Sequence, residues 1–526
     1  MSSLKPTAGA SPLPLTPLHF LERSAQVFPT RTAIVDGDRR FSYREFADEA
    51  ARVASALITA GIKPGDKVAY LAPNQTELLI GHFAVPLARG VIVAINTRLA
   101  PEEIRYILEH SEARLLIVDQ SLVSSVAPVA DQLQDIRLVT VTDGSGQVLG
   151  TPYSEFIESG GQHDLSWEVD DELETIAINY TSGTTGRPKG VMYTHRGATL
   201  GALAGLHHSG FSSSTAYLWT LPMFHCNGWC TAWALAASGG RQVCLPAVRA
   251  DQIWQLIDEE GITHLNGAPT VLTTIANAPE AHVLTQPLTI TTAGAPPSPT
   301  TIAEIKALGA SIVHVYGLTE TYGPYTVCEL QESWSDLDQD AHAEMLSRQG
   351  VGMLHAGLVR VVDEAMADVP ADGETMGEIV MRGNVVMSGY FKDPEGTAKA
   401  FHGGWFHSGD LGVMHPDGYV QLRDRAKDVV ISGGENISTV EVEQALISDP
   451  RVLETAVIGV PDEKWGEVTK AFVVLKPNVQ ASAEELIEHV RSRIARYKAP
   501  KTIAFVSELP KTSTGKVQKF ALREQA

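Results

Sequence analysis

A chain of 526 residues with 62 acidic and 41 basic side chains, a formal charge of −21, argues against broad electrostatic attachment to nucleic acid or to an anionic membrane. That length exceeds what one core supports, so at least two compact units are expected. With 44% hydrophobic and 20% charged residues, the composition is that of a globular protein and not of a disordered, collagenous or disulfide-built chain.

In chain order, Met1 to Pro17 has a single Lys and no apolar stretch; a loose leader is expected, no signal peptide, and a cytoplasmic place. Ser42 and Glu45 form a capping-box pair that starts a helix with Phe46, Ala50, Val53, Ala54 and Leu57 on one face, ending at Gly61. The apolar run Phe83 to Ile95 is interrupted by Pro86 and Arg89 and is too short to cross a bilayer. Thr175 to Asn179 is predicted as a strand leading into a Thr/Gly loop, and Gly190 to Leu206 as a helix. Ile312 to Val315 is a further strand, ending at Tyr316-Gly317. Both runs place polar residues at the C-terminal ends of strands, where open α/β sheets hold ligands.

The last hundred or so residues form a smaller α+β pattern: helices capped by Ser438 with Glu441 and by Ser482 with Glu485, and strands around Ala456 to Gly459 and Ala471 to Leu475. The domain boundary is expected at Asp424 to Asp428, dividing residues 1–425 from 426–526. The charges of Arg423, Asp424, Arg425, Lys427 and Asp428 are poor core material, so this segment is expected to be an exposed linker, and functionally a hinge. Cys226, Cys230, Cys244 and Cys328 have no metal-binding or bridging pattern and are expected to be reduced and buried. The terminal Arg523-Glu524-Gln525-Ala526 carries no peroxisomal or lipidation tag.

The strongest local signal is the loop Tyr180 to Gly190. Gly183 and Gly186 free the backbone, Thr181, Ser182, Thr184 and Thr185 supply hydroxyls, and Lys189 supplies a cation; together these suit a polyphosphate. The loop lacks the Gly-Lys-Ser/Thr ending of a Walker loop.

It resembles the phosphate-binding signature of the adenylate-forming superfamily of acyl-CoA synthetases, luciferases and peptide-synthetase adenylation domains. The rest of that family's series follows in order: Pro222-Met-Phe-His-Cys-Asn-Gly-Trp229, Thr292-Ala-Gly-Ala-Pro296, Tyr316-Gly-Leu-Thr-Glu-Thr321, Trp405-Phe-His-Ser-Gly-Asp410, Arg425-Ala-Lys-Asp428, Ser432-Gly-Gly-Glu-Asn436 and Pro510-Lys-Thr-Ser-Thr-Gly-Lys516. The resemblance implies a large N-terminal multi-sheet α/β domain with a small mobile C-terminal α+β domain. It also implies an ATP- and Mg²⁺-dependent ligase that forms an acyl-AMP and passes the acyl group to coenzyme A. An acceptor thiol on a carrier protein, or a single half-reaction, stays open.

The same resemblance assigns roles. Thr319 would meet the α-phosphate and Glu320 would hold Mg²⁺. Tyr316, Gly317, Gly294, Ala295 and Pro296 would surround the adenine, while Asp410 and Arg425 would serve the ribose. Lys516 would stabilise the adenylation transition state and Lys427 would be the pivot, with Gly433, Gly434 and Glu435 lining the pantetheine path. His225, Asn227, Gly228 and Trp229 would bound the acyl site. The absence of an Asp between Pro222 and Ala237 favours an uncharged acyl chain, because an unpaired ammonium in an apolar pocket is costly. The motifs are closest to medium-chain, benzoate and methylthiopropionate CoA ligases; Ser408 and Asp424 depart from the wider pattern. The sequence also allows a homodimer.

Overall fold

Two sheets with parallel centres carry the large domain of the computed structural model, which describes residues 13–181, 187–294, 297, 299–425, 428–432, 435–462, 464–512 and 515–525. One runs from edge to edge as Gly389–Tyr390, Gly190–Thr194, Thr175–Tyr180, Val91–Ala94, Lys67–Leu71, Ala113–Asp119, Arg137–Val141 and Thr151–Pro152. At the centre of the other, Ala216–Leu218, His264–Gly267, Leu288–Thr292 and Ala310–Leu318 lie side by side in parallel. Their Val-, Ile- and Leu-rich stretches suit strands covered on both faces.

The helix Thr76–Leu87 has all of its residues buried and packs against strands of both sheets as well as the helix Tyr43–Thr59. This accounts for the apolar run from Phe83: a helix apolar on all sides belongs in an interior. The chain then turns at Arg89, φ 63°, into the buried strand Val91–Ala94. Among the described residues no helix is long and apolar enough to cross a membrane. Helix Tyr43–Thr59 starts as expected, with both halves of the Ser42/Glu45 capping box formed.

An antiparallel sheet of Val359–Val362, Gly377–Met381, Phe406–Met414 and Val420–Arg425 completes the large domain. The small C-terminal domain has its own sheet, built on the long hairpin of Val452–Asp462 and Gly466–Leu475. Its core gathers Val442, Leu446, Val457, Val473, Leu486 and Val490. Ser438 and Ser482 cap helices Thr439–Ile447 and Ala483–Arg491.

Two expectations are corrected. Gly190 to Thr194 is a strand, with the helix confined to His195–His208. Val191 and Tyr193 pair across Thr175–Tyr180, and Thr194 accepts from the Gly197 N–H as the helix cap. The run Arg423 to Asp428 is also not an exposed linker at its described positions: Asp424 is 2% exposed and Asp428 8%. The Asp424 carboxylate accepts from the Thr439 N–H at 2.5 Å and from Thr439 Oγ1 at 2.7 Å, while Asp428 pairs with Arg523 at 2.6 Å. A buried charge is tolerated once hydrogen bonds and a counter-charge replace its water. Residues 426 and 427, including the expected pivot Lys427, lie outside the described residues.

Candidate active site

The loop expected to bind phosphate is closed at its base by strand pairing, Tyr180 facing Gly190. The Thr181 N–H donates to the Lys189 carbonyl at 3.0 Å, and the Lys189 N–H to Thr181 Oγ1 at 3.3 Å. Ser182, Gly183, Thr184, Thr185 and Gly186 lie outside the described residues. Lys189 Nζ sits 3.1 Å from Asp393 Oδ2 and 4.5 Å from the centre of the Tyr390 ring.

Facing this hairpin, strand Ala310–Leu318 continues past Tyr316 and ends in the short helical turn Thr319–Thr321. Thr321 Oγ1 closes the turn, donating toward the Gly323 carbonyl and accepting from the Leu318 N–H. Gly317 is obligatory, because a Cβ there would lie 1.9 Å from the Gly323 oxygen. Tyr193 donates its hydroxyl to the Thr319 carbonyl at 2.6 Å, and Tyr390 donates to Glu320 Oε1 at 2.9 Å. Burial pushes the Glu320 carboxyl up, opposed by its own backbone N–H and by Tyr390.

Asp410 and Arg425 are cross-strand partners. The Asp410 carboxylate, 3% exposed, takes Arg425 Nε at 3.2 Å on one oxygen and the Tyr316 hydroxyl at 2.8 Å on the other. Ser408 keeps a structural hydroxyl there, donating to the Ile379 carbonyl and accepting from the Asp410 N–H at 3.1 Å. Gly294 is exposed, with φ 93° and open space where a Cβ would stand; Ala295 and Pro296 lie outside the described residues.

The expected acyl-site residues form a strained turn. Cys226, Asn227, Gly228, Trp229 and Cys230 have φ of 44°, 40°, 55°, 56° and 60°. Four of these carry a Cβ, and at about 1–2 kcal/mol each the run costs roughly 4–8 kcal/mol. Surrounding packing offsets it. Asn74 pins the preceding chain by accepting from the Met223 N–H at 2.7 Å and donating to the Trp219 and Leu221 carbonyls. A Cβ on Gly228 would lie 2.6 Å from the Trp219 ring, and one on Gly323 2.8 Å from Trp229 Cδ1. The turn holds Asn227 fully buried, with neither side-chain polar atom partnered among the described residues. Such concentrated strain is characteristic of sites where geometry serves function. The Cys226 thiol, pushed up to about 12 by burial, stays protonated beside Thr319 and is no nucleophile. All four cysteines are free and buried.

From the small domain, the described part of the Pro510 to Lys516 loop docks on the large domain at Arg98 and Thr270. The Thr512 N–H donates to the Lys516 carbonyl at 2.7 Å, and Arg98 Nη1 to the Thr512 carbonyl at 3.4 Å. A Cβ on Gly515 would meet Thr270 Oγ1 at 2.3 Å. His225 is pushed down to about 4, by burial first and by the charge of Lys516 second, so the imidazole is neutral and lies within electrostatic reach of a cation from the small domain. Glu435 is exposed on the strand Glu435–Ile437, while Gly433 and Gly434 lie outside the described residues.

Comparison with known proteins gives this constellation a context. The family model described as AMP-binding enzyme matches residues 21–391, and the model of its C-terminal domain matches residues 441–516. The chain belongs to the AMP-binding enzyme family. An acetate–CoA ligase of Humulus lupulus is 43% identical to it over 551 residues, covering 99% of this chain and 96% of that one. A 2-methylpropanoate–CoA ligase of the same plant is 44% identical, covering 100% and 97%. Among solved structures, an anthranilate CoA ligase in complex with anthranoyl-AMP superposes with a TM-score of 0.88 at 28% identity, covering 99% of both chains.

Mg²⁺ prefers one or two carboxylates together with substrate phosphates. Among the described residues of this AMP-binding enzyme, no three His, Cys, Asp or Glu side chains gather as a metal cage. Glu320, with one oxygen engaged by Tyr390 and Thr319 beside it, fits such a phosphate-assisted site. Sequence reasoning missed Tyr390, Asp393 and Tyr193. Asp393 had a local signal, as the cap residue before Pro394 that accepts from the Gly396 N–H; the two tyrosines had none.

Proposed function

We propose that this enzyme activates a small, uncharged carboxylic acid as its acyl-AMP and transfers the acyl group to coenzyme A. The protein is an AMP-forming acyl-CoA ligase whose substrates are ATP, a carboxylic acid and CoA. The observation that carries the site assignment is the seat of the Lys516 loop on the large domain, where Arg98 Nη1 donates to the Thr512 carbonyl and Gly515 lies against Thr270, close enough for the Lys516 charge to act on His225.

In the first step the substrate carboxylate oxygen attacks the α-phosphorus and the bond to pyrophosphate breaks. No protein nucleophile is needed; positioning and charge stabilisation supply the catalysis. Lys516 holds carboxylate and phosphate together, and Thr319 and the loop from Thr181 to Gly186 donate to phosphate oxygens. Lys189, Tyr316 and Gly294 to Pro296 frame the nucleotide, while Asp410 accepts from the ribose hydroxyls with Arg425 fixing its orientation. When bound at Glu320, Mg²⁺ offsets charge on the phosphates. In the second step the thiol sulfur of CoA attacks the carbonyl carbon and AMP leaves.

Both steps use the same carbonyl, and a Lys516 that serves the first would obstruct the thiol in the second. We therefore keep residues 1–425 and 426–526 as the two bodies and Lys427 as the pivot that withdraws Lys516 and presents Gly433, Gly434 and Glu435 to pantetheine. Neutral His225 and the lack of an acid between Pro222 and Ala237 support an uncharged acyl chain. The small acids in the names of the two Humulus lupulus relatives and the closure of Trp229 on Gly323 support a short one. Four free thiols suit a reducing, cytoplasmic compartment.

The test is a panel of short straight, branched and aromatic acids assayed for pyrophosphate release, with CoA, pantetheine or a carrier protein as acceptor. Thioester formation with CoA on short acids is the expected result. Turnover only with a carrier protein would overturn the acceptor, and a preference for amino acids would overturn the pocket reading.

A further inference from the structure

Tyr390 lies between two groups that the adenylation step uses. It ends the short strand Gly389–Tyr390, which pairs antiparallel with Gly190–Thr194 at the foot of the phosphate loop, Tyr390 opposite Val191. Three backbone contacts fix its place: its own N–H donates to Thr397 Oγ1 at 2.9 Å, the Phe391 N–H to the Gly190 carbonyl at 2.7 Å, and the Met387 N–H to the Glu320 carbonyl at 2.8 Å. From there the hydroxyl donates to Glu320 Oε1 at 2.9 Å, while the ring face receives Lys189 Nζ at 4.5 Å from its centre. Asp393, three residues on, holds the same ammonium at 3.1 Å. One side chain therefore touches both the carboxylate and the lysine, although Glu320 and Tyr390 are 70 residues apart in sequence.

We propose that Tyr390 is a positioning residue of the adenylation site, whose hydroxyl makes Glu320 a one-oxygen ligand for Mg²⁺ and whose ring fixes Lys189 toward the phosphates. This rests on Glu320 being the metal-holding carboxylate. The phenol occupies one acceptor site of Oε1, which leaves Oε2 the less encumbered oxygen for a cation among the described residues. Mg²⁺ demands near-ideal octahedral geometry, whereas the larger Ca²⁺ readily takes both oxygens of a carboxylate. The phenol thus works against the two-oxygen mode and favours the smaller ion. The ring acts separately: an ammonium over an aromatic face is attracted by the ring's quadrupole, which limits where Lys189 can swing.

Three variants of the full chain separate these effects. ATP binding is measured by calorimetry without divalent ion, with Mg²⁺ and with Ca²⁺, and pyrophosphate release is followed alongside. Tyr390→Phe keeps the ring and loses the hydroxyl. It is expected to leave metal-free ATP affinity unchanged, to raise the half-saturating Mg²⁺ concentration about tenfold, as loss of a hydrogen bond to a charged group implies, and to narrow the preference for Mg²⁺ over Ca²⁺. Tyr390→Leu is expected to do the same and also to weaken metal-free ATP binding by about two- to fivefold through Lys189. Glu320→Gln is the control for the underlying reading. If it leaves the Mg²⁺ dependence intact, Glu320 is not the metal carboxylate and the proposal falls with that reading. If Glu320→Gln changes the dependence while folded Tyr390→Phe keeps both the wild-type Mg²⁺ requirement and the wild-type ion preference, the Tyr390 assignment alone is overturned.

Discussion

Replacing Lys516 with alanine should divide the two half-reactions. Contacts that hold its loop use the Lys516 and Gly515 backbone: the Thr512 N–H to the Lys516 carbonyl at 2.7 Å, the Lys516 N–H to Thr512 Oγ1 at 3.1 Å, and the close seat of Gly515 on Thr270. Truncation beyond Cβ leaves these contacts in place, so the loop still docks. On the proposed mechanism the change removes one cation from the reacting carboxylate, and His225 cannot replace it, because its imidazole is pushed down to about 4 and is neutral at working pH. Losing one preorganised charge-stabilising group costs roughly 10²–10³ in rate, about 2.7–4 kcal/mol. Pyrophosphate release from acid and ATP should fall by that factor. Thioester formation from supplied acyl-AMP and CoA should lose less than about tenfold, since that interaction belongs to the first transition state only. Titration of His225 followed by NMR offers an independent check: without the lysine charge its pKa should rise. Equal losses in both half-reactions would refute the assignment.

Trp229→Ala should lengthen the accepted acyl chain, with about 1–3 kcal/mol of discrimination recovered per added methylene; an unchanged chain-length profile of kcat/KM in folded protein would make Trp229 a core residue. Asp424→Ala removes the acceptor of the Thr439 N–H and hydroxyl at a helix start and should cost about 2–4 kcal/mol, read as a lower urea midpoint, with Asp424→Asn losing less. His82, His195 and His314 are fully or nearly buried and each pushed down to about 4 by burial. The unfolded chain takes up these protons below about pH 6.5 and the folded chain only near 4, so stability should fall with pH through that window, by up to about 3 kcal/mol per histidine. Thermal midpoints that stay level from pH 7 to pH 4.5 would contradict this.

Local causes made part of the molecule legible without coordinates. Ser42 with Glu45 and Ser482 with Glu485 start helices through bonds spanning three residues, and so a sequence contains everything needed to place them. The ordered motifs from Tyr180 to Lys516 likewise sufficed for the family and its reaction, because the chemistry dictates residue types at those points. Tertiary structure decided whatever depends on a distant partner. Gly190 to Thr194 is a strand because Thr175–Tyr180 lies beside it. Asp424 can be buried because the start of a helix 15 residues away supplies its donors, and a charge run in a sequence shows the charge without the donors. The left-handed turn from Cys226 to Cys230 holds because Trp219 and Gly323 pack where its strain would otherwise relax. Tyr390 meets Glu320 and Lys189 only in the folded chain: hydrogen bonds and ring contacts act over a few ångströms of space and carry no trace along the chain.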